Sequence, residues 1–168
     1  LYRLMAFSQK GERKDITSKV NKEGRLNWTT PAGQWRLIAV FNGKTFQKVK
    51  RAAPGGEGYV MDHFSHKAVA NYLHRFEKAF AETKTPYPHN FFNDSYEVYK
   101  ADWTSDLFEQ FYKRRGYKLE MYLPEFLDEK RNDITARIIS DYRETISELL
   151  QDNFTAQWTN WAHTHGSL

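Results

Sequence analysis

The chain has 168 residues, 40% of them hydrophobic and 16% aromatic, which is enough to fill the core of one domain and too much for a disordered chain. A net charge of +4 is modest, and the basic residues are spread among nearly as many acids, so the pattern fits a solvated surface and argues against nucleic-acid binding. The absence of cysteine excludes disulfides and thiolate metal sites; no apolar run reads as a membrane span or signal peptide, and a start at Leu1 reads as a segment of something longer.

From the start to about residue 46, short extended runs alternate with turn residues. Strands are predicted at 2–7, 25–29 and 35–41, with turns at 21–24 and 31–33. The run WRLIAVF at 35–41 is almost continuously apolar, the pattern of a strand buried on both faces of a parallel sheet. Residues 1–46 are therefore read as a β-rich insertion plus the first buried strand, and residues 47–168 as a β/α segment with a long C-terminal helix.

A long connection, GKTFQKVKRAAPGGEGYVMD, leads to a helix with Ser65 as N-cap and Val69, Leu73, Phe76 and Phe80 on one face. Connections of that length are uncommon unless functional. Pro86 and Pro88 end the helix, and a second buried strand is predicted at 89–95. The next helix runs from an N-cap at Thr104 through Leu107, Phe108 and Phe111, with Arg114 and Arg115 suiting its C-terminal dipole and Gly116 closing it. A final helical stretch spans about 133–163, long enough that a break near Asp152 or Asn153 is expected. Strand and helix alternating in this way predict an α/β fold with right-handed parallel connections. A complete (β/α)8 barrel takes about 250 residues, so the prediction is a partial (β/α)8 barrel.

In such folds the loops leaving the C-terminal ends of strands carry the chemistry. Glu97 lies just past the second predicted strand end, with Tyr96, Tyr99 and Trp103 near it in sequence to desolvate it, as a general acid requires. Asn93 and Asp94 are candidates for binding sugar hydroxyls or a cation; an Asx-type turn is the plain alternative. Glu57, Asp62 and His63 follow the first buried strand and fall on the same face of a barrel as Glu97. The GGEG stretch lacks the spacing and the Lys-Ser/Thr of a phosphate loop, so nucleotide binding is rejected. Glu57 and Asp62 are of the type that ligates calcium. His163 and His165 lack a nearby third ligand, which disfavours zinc, and Trp158 and Trp161 continue a helical stripe and read as core.

Three motifs in order, VKRAAPGGEGYVMDHFS, FFNDSYEVYKADWTSDLFEQFYKRRGYKLEMYLP and SDYRETISELLQDNFTAQWTNWAHTHG, resemble the catalytic region of glycoside hydrolase family 106, the α-L-rhamnosidase-type enzymes of polysaccharide-degrading bacteria. The resemblance implies a (β/α)8 catalytic barrel, an inverting two-carboxylate mechanism, a calcium ion at the sugar, a carbohydrate substrate and a secreted or periplasmic location. Carried over by motif, Glu97 is the general acid, with Asn93 and Asp94 beside it. Glu57, Asp62, His63 and Trp103 are further substrate-binding candidates. The second catalytic carboxylate is expected beyond Leu168, which leaves the segment alone nearly inactive. The rival readings are a non-catalytic carbohydrate-binding or interaction module built on a flat platform of Trp28, Trp35 and Trp103, and a barrel glycosidase for another sugar. Unpaired sheet edges in an incomplete barrel predict an edge-mediated homodimer.

Overall fold

A computed structural model describes residues 1–94 and 96–168. Ser95, the predicted end of the second buried strand, lies outside the described residues. In chain order the elements are β1 (Arg3–Ser8), β2 (Arg13–Asp15), β3 (Trp35–Val40), α1 (His66–Thr83), α2 (Leu107–Arg115), α3 (Leu123–Phe126), α4 (Asp133–Leu150) and α5 (Gln157–Thr164). Tight 3₁₀ turns occupy Thr17–Lys19 and Leu119–Tyr122, and a π-helical segment, Gln151–Ala156, joins α4 to α5. The chain divides into two compact units, Leu1–Lys44 with Asp106–Arg143, and Thr45–Ser105 with Glu144–Leu168.

The first unit is built on a three-stranded sheet in the order β2-β1-β3, antiparallel throughout. The central strand β1 buries both faces: Leu4 and Ala6 pack with Ile16 against Val20, Trp28 and Trp35, while Met5 on the opposite face is fully buried. β2 carries Arg-Lys-Asp and has no apolar signature. It pairs because Gly11, at φ +88°, turns the chain so that Ser8 N–H donates to the Glu12 carbonyl at 2.9 Å. The Arg13 guanidinium lies 4.7 Å from the Tyr122 ring centroid, pairs with Glu125 and donates to the Met121 carbonyl, tying β2 to the 119–126 turn. Leu107, Phe108 and Phe111 of α2 are buried, and Phe111 meets the Tyr117 ring edge-on at 4.9 Å. Tyr117 donates to Asp141 at 2.8 Å; burial first, and that carboxylate second, hold its phenol well above the ordinary range.

Two strand predictions in this unit are corrected. β3 is not a parallel strand buried on both faces. It pairs antiparallel with β1 at the sheet edge, where Leu37 is 45% exposed. An apolar run records hydrophobicity but not the number of neighbours a strand has, and the hairpin-rich start of the chain supplies only one. Residues 25–29 form no strand; Val20 and Leu26 make an isolated bridge closed by the turn at Gly24.

In the second unit α1 begins as expected, with Ser65 Oγ accepting from Ala68 N–H at 3.3 Å and with Val69 and Leu73 buried. Phe76, predicted on the same face, is 40% exposed. α1 packs against the π-helical segment and α5. Asn153 Nδ2 donates to the Phe64 carbonyl at 2.6 Å, Gln157 Nε2 to the His66 carbonyl at 3.2 Å and Trp161 Nε1 to Glu77 at 2.7 Å. The irregularity expected near Asp152 is therefore a π-helical turn and not a break, a feature often found at functional sites.

The predicted strand 89–95 is also corrected: its described residues form no strand. The backbone of this stretch bonds to residues 167 and 168 instead. Phe91 N–H donates to the Leu168 carbonyl at 2.9 Å, Leu168 N–H to the His89 carbonyl at 2.8 Å and Ser167 Oγ to the Pro88 carbonyl at 2.6 Å. Pro86 and Pro88 have no N–H to give a ladder, which shortens the stretch that can pair. Thr104 is not the cap of α2, which starts after Asp106. The whole is a mixed α/β chain with one antiparallel sheet and several helices, and no parallel strand pair occurs among the described residues. No described helix is long and apolar enough to cross a membrane.

Candidate functional site

The second unit contains a cavity of about 860 Å³, within the size range of ligand sites. One wall is an arm made from the long connection. Gly55 takes φ +83°, Gly56 N–H closes onto the Ala53 carbonyl at 2.8 Å, and a Cβ on Gly56 would come within 3.1 Å of that oxygen. The chain therefore doubles back, and residues 47–49 meet 58–60 antiparallel: Val49 N–H donates to the Gly58 carbonyl at 3.0 Å and Val60 N–H to the Gln47 carbonyl at 2.9 Å. This reversal carries Glu57 near its tip, on the cavity lining. The other walls are α1, residues 91–93, Glu97 with Val98, and Phe154, Trp158 and Trp161.

Glu97 is exposed, and its backbone is held by one side chain of the arm. Gln47 Nε2 donates to the Glu97 carbonyl at 2.9 Å, and Tyr99 N–H donates to Gln47 Oε1 at 3.0 Å. The two backbone partners fix which end of the amide is oxygen, and together they pin the loop on both sides of Val98. Lys50 adds a second tie. Its Nζ lies 3.3 Å from the Tyr99 hydroxyl and 4.6 Å from the ring centroid.

His63 lies on the lining between Tyr96 and Phe154, edge-on to both, at centroid distances of 5.1 and 4.7 Å. Burial pushes its imidazole down from the usual value, opposed by its contact with the Met61 backbone and by the Asp62 charge. Burial raises the Tyr96 phenol, and the Asp62 carboxylate raises it further. Asp62 itself is occupied structurally. It accepts Phe64 N–H at 3.0 Å and the buried Thr104 hydroxyl at 2.7 Å, so it anchors the approach to α1. Trp161, on the far wall, is fixed through Glu77, which also contacts His74 at 3.0 Å and His165 at 3.6 Å. Its bonds to His74 and then Trp161 hold the Glu77 carboxyl below the ordinary range.

Of the residues singled out in the sequence, Glu97, Glu57, Asn93 and His63 come together on one cavity. Asp62, the exposed Asp94 and the half-buried Trp103 are not on its lining. Sequence reasoning missed Gln47, whose partners lie fifty and fifty-two residues on and leave no local signal. It also favoured core over a sugar-stacking role for Trp158 and Trp161, whereas both are half-buried and line the cavity. Trp28 and Trp35 meet edge-on, at an interplanar angle of 89°, which is not a flat sugar-stacking platform. Among the described residues no group of three or more His, Asp or Glu side chains is disposed to hold a metal ion. Calcium takes six to eight oxygen ligands, backbone carbonyls among them, and on the cavity lining Glu57 and Asn93 are oxygen donors of that kind.

The family model described as alpha-L-rhamnosidase matches residues 8–167. A protein of Formosa agariphila named "Putative beta-glucuronidase" is 32% identical over 167 residues, which is 96% of this chain and 14% of that protein. The solved structure of a rhamnosidase from Novosphingobium sp. PP1Y matches 92% of this chain with a TM-score of 0.73 and 25% identity, and 16% of its own chain is covered. The chain thus spans less than a fifth of either relative.

Proposed function

The chain belongs to glycoside hydrolase family 106, and on that premise we propose that it is part of the catalytic region of a larger enzyme that hydrolyses α-L-rhamnosides. The observation that carries the proposal is the pairing of Glu97 with an 860 Å³ cavity, the backbone of that residue being clamped by Gln47. In this reading Glu97 is the general acid: it gives its proton to the glycosidic oxygen as the bond to the anomeric carbon breaks. A second carboxylate, on the opposite face of the sugar, takes a proton from the attacking water, which gives inversion. Glu57 and Asn93 bind sugar hydroxyls, and Trp158 and Trp161 offer apolar faces to the ring. The base is assigned to the larger part of the enzyme that these residues do not include, as are the parallel strands of a (β/α)8 barrel. These residues alone are then nearly inactive.

The test is Glu97→Gln in the full-length protein, assayed on aryl α-L-rhamnosides. Loss of a general acid is expected to lower kcat by about 10²- to 10⁴-fold on a poor leaving group and by much less on a good one. An unchanged rate on the poor leaving group would sink the assignment. The name of the Formosa relative gives a specific second reading, a β-glucuronide substrate. An aryl β-D-glucuronide assayed alongside settles it, since faster release from that compound would replace rhamnose as the substrate class.

A further inference from the structure

The aromatic wall of the cavity is braced by a residue that is not on its lining. Trp161 lines the space from α5, and its indole N–H donates to Glu77 Oε1 on α1 at 2.7 Å. Glu77 is half-buried behind that wall. Its second oxygen, Oε2, meets His74 Nδ1 at 3.0 Å, and Oε1 also lies 3.6 Å from His165 Nε2. His165 is steadied in turn by the Tyr87 ring, stacked on it at 4.1 Å with an interplanar angle of 7°. The chain leaving Tyr87 brings Phe91 onto the lining, 5.1 Å from the Trp161 ring. One carboxylate therefore gathers α1, α5 and residues 87–91 behind two of the lining rings.

An indole at the wall of a polar cavity has two side-chain torsions to settle and a polar edge that seeks a partner. Left free, the N–H would turn toward water or a hydroxyl in the cavity. Here an anionic acceptor takes it from behind, and bonds of that kind are about twice as strong as neutral ones. We propose that Glu77 is a positioning residue for the sugar site: by holding the Trp161 N–H behind the wall, it fixes the indole so that its apolar surface meets the sugar. The inference rests on the reading of the cavity as a sugar site. A wall that contacts the sugar alike before and during bond breaking acts on KM and leaves kcat nearly unchanged.

The experiment uses the full-length protein, with aryl α-L-rhamnosides and aryl β-D-glucuronides as substrates. Glu77→Leu is expected to raise KM about tenfold with kcat changed less than about threefold, and Glu77→Gln, which keeps an acceptor oxygen, to recover most of the loss. In a Trp161→Phe background, which has no N–H to hold, Glu77→Leu should add almost nothing. Should Glu77→Leu not fold, Glu77→Ser, too short to reach the indole, takes its place. A fall in melting temperature with KM unmoved, or an equal rise in KM with and without the Trp161 N–H, overturns the proposal and leaves Glu77 as a tie between helices. Labelling with 5-fluorotryptophan reads the indole without substrate: the fluorine line that Trp161→Phe removes should shift in Glu77→Leu and stay near its place in Glu77→Gln. Hydrolysis of the glucuronide alone, with the fluorine line and KM responding as stated, sinks the rhamnosidase reading and sustains the role of Glu77. Rhamnoside hydrolysis with an unmoved line does the reverse.

Discussion

Two helices in this chain end in the same left-handed turn with different residues, and the difference separates the two units. α2, in the sheet unit, closes on Gly116 at φ +79°, and α1, in the cavity unit, closes on Lys84 at φ +55°. The contrast extends beyond the caps. Among the described residues, the positive-φ positions of the sheet unit are all glycines, at 11, 24, 33 and 116. The cavity unit has Gly55 and Gly166 there and adds Phe46, Arg51, Lys84 and Lys100, each of these four at a steric cost of roughly 1–2 kcal/mol. Three of the four lie on or next to the segments that carry Gln47, Glu57 and Glu97. The sheet unit is built with relaxed backbone around a buried strand, whereas the cavity unit holds strained backbone in place with side-chain clamps. Strain of that kind concentrates at functional sites.

The largest test of this division is Met5→Ala. Met5 is fully buried at the centre of the sheet unit, and truncating it should cost about 2–5 kcal/mol. The expected result in the full-length protein is a lower denaturation midpoint with kcat per folded molecule unchanged. A fall in kcat without loss of stability would break the division. Gln47→Ala probes the opposite case. Two hydrogen bonds to the backbone around Glu97 are lost, and a misplaced acid should lower kcat about tenfold while the melting temperature moves by only a few degrees. As a positioning residue, Gln47 should show its largest loss on poor leaving groups, matching the pattern of Glu97→Gln; equal losses on good and poor leaving groups would mean it acts on binding alone.

The parts of this structure that were legible in the sequence are those specified by neighbours along the chain. Ser65 before a helical stripe, Gly116 after one, and Asp152-Asn153 in an overlong helix each found a local counterpart. What was hidden depends on partners far away. β2 pairs through its backbone and carries only charged side chains, and β3 shows nothing in its apolar run of having one neighbour instead of two. The backbone after Pro88 is occupied by a tail nearly eighty residues later, so a run that reads as a strand forms none. The site divides in the same way. Glu97 stood out from its place after an apolar run and from the motif around it. Its sharing a cavity with Glu57 needs the arm folded back at Gly55, and the clamp at Gln47 is one neutral amide among lysines.

The two helix caps give the smallest and cleanest comparison. Gly116→Ala meets no atom within 4 Å, so its cost is conformational alone, about 1 kcal/mol of stability. Lys84→Gly should do the opposite. Lys84 N–H already closes the end of α1 onto the Phe80 and Ala81 carbonyls, and glycine can keep that geometry without the Cβ penalty. Glycine also gives the unfolded chain more freedom, which offsets part of the relief, so a net gain of roughly 0.5 kcal/mol is expected. Denaturant titration of both variants reads the pair directly. If Lys84→Gly stabilises without changing kcat, the strain at this cap is a structural cost unconnected with the cavity. If it stabilises and lowers kcat, the αL lysine at the end of α1 helps set the wall that Arg75 and Trp161 present to the substrate, and the strain in the cavity unit belongs to its function.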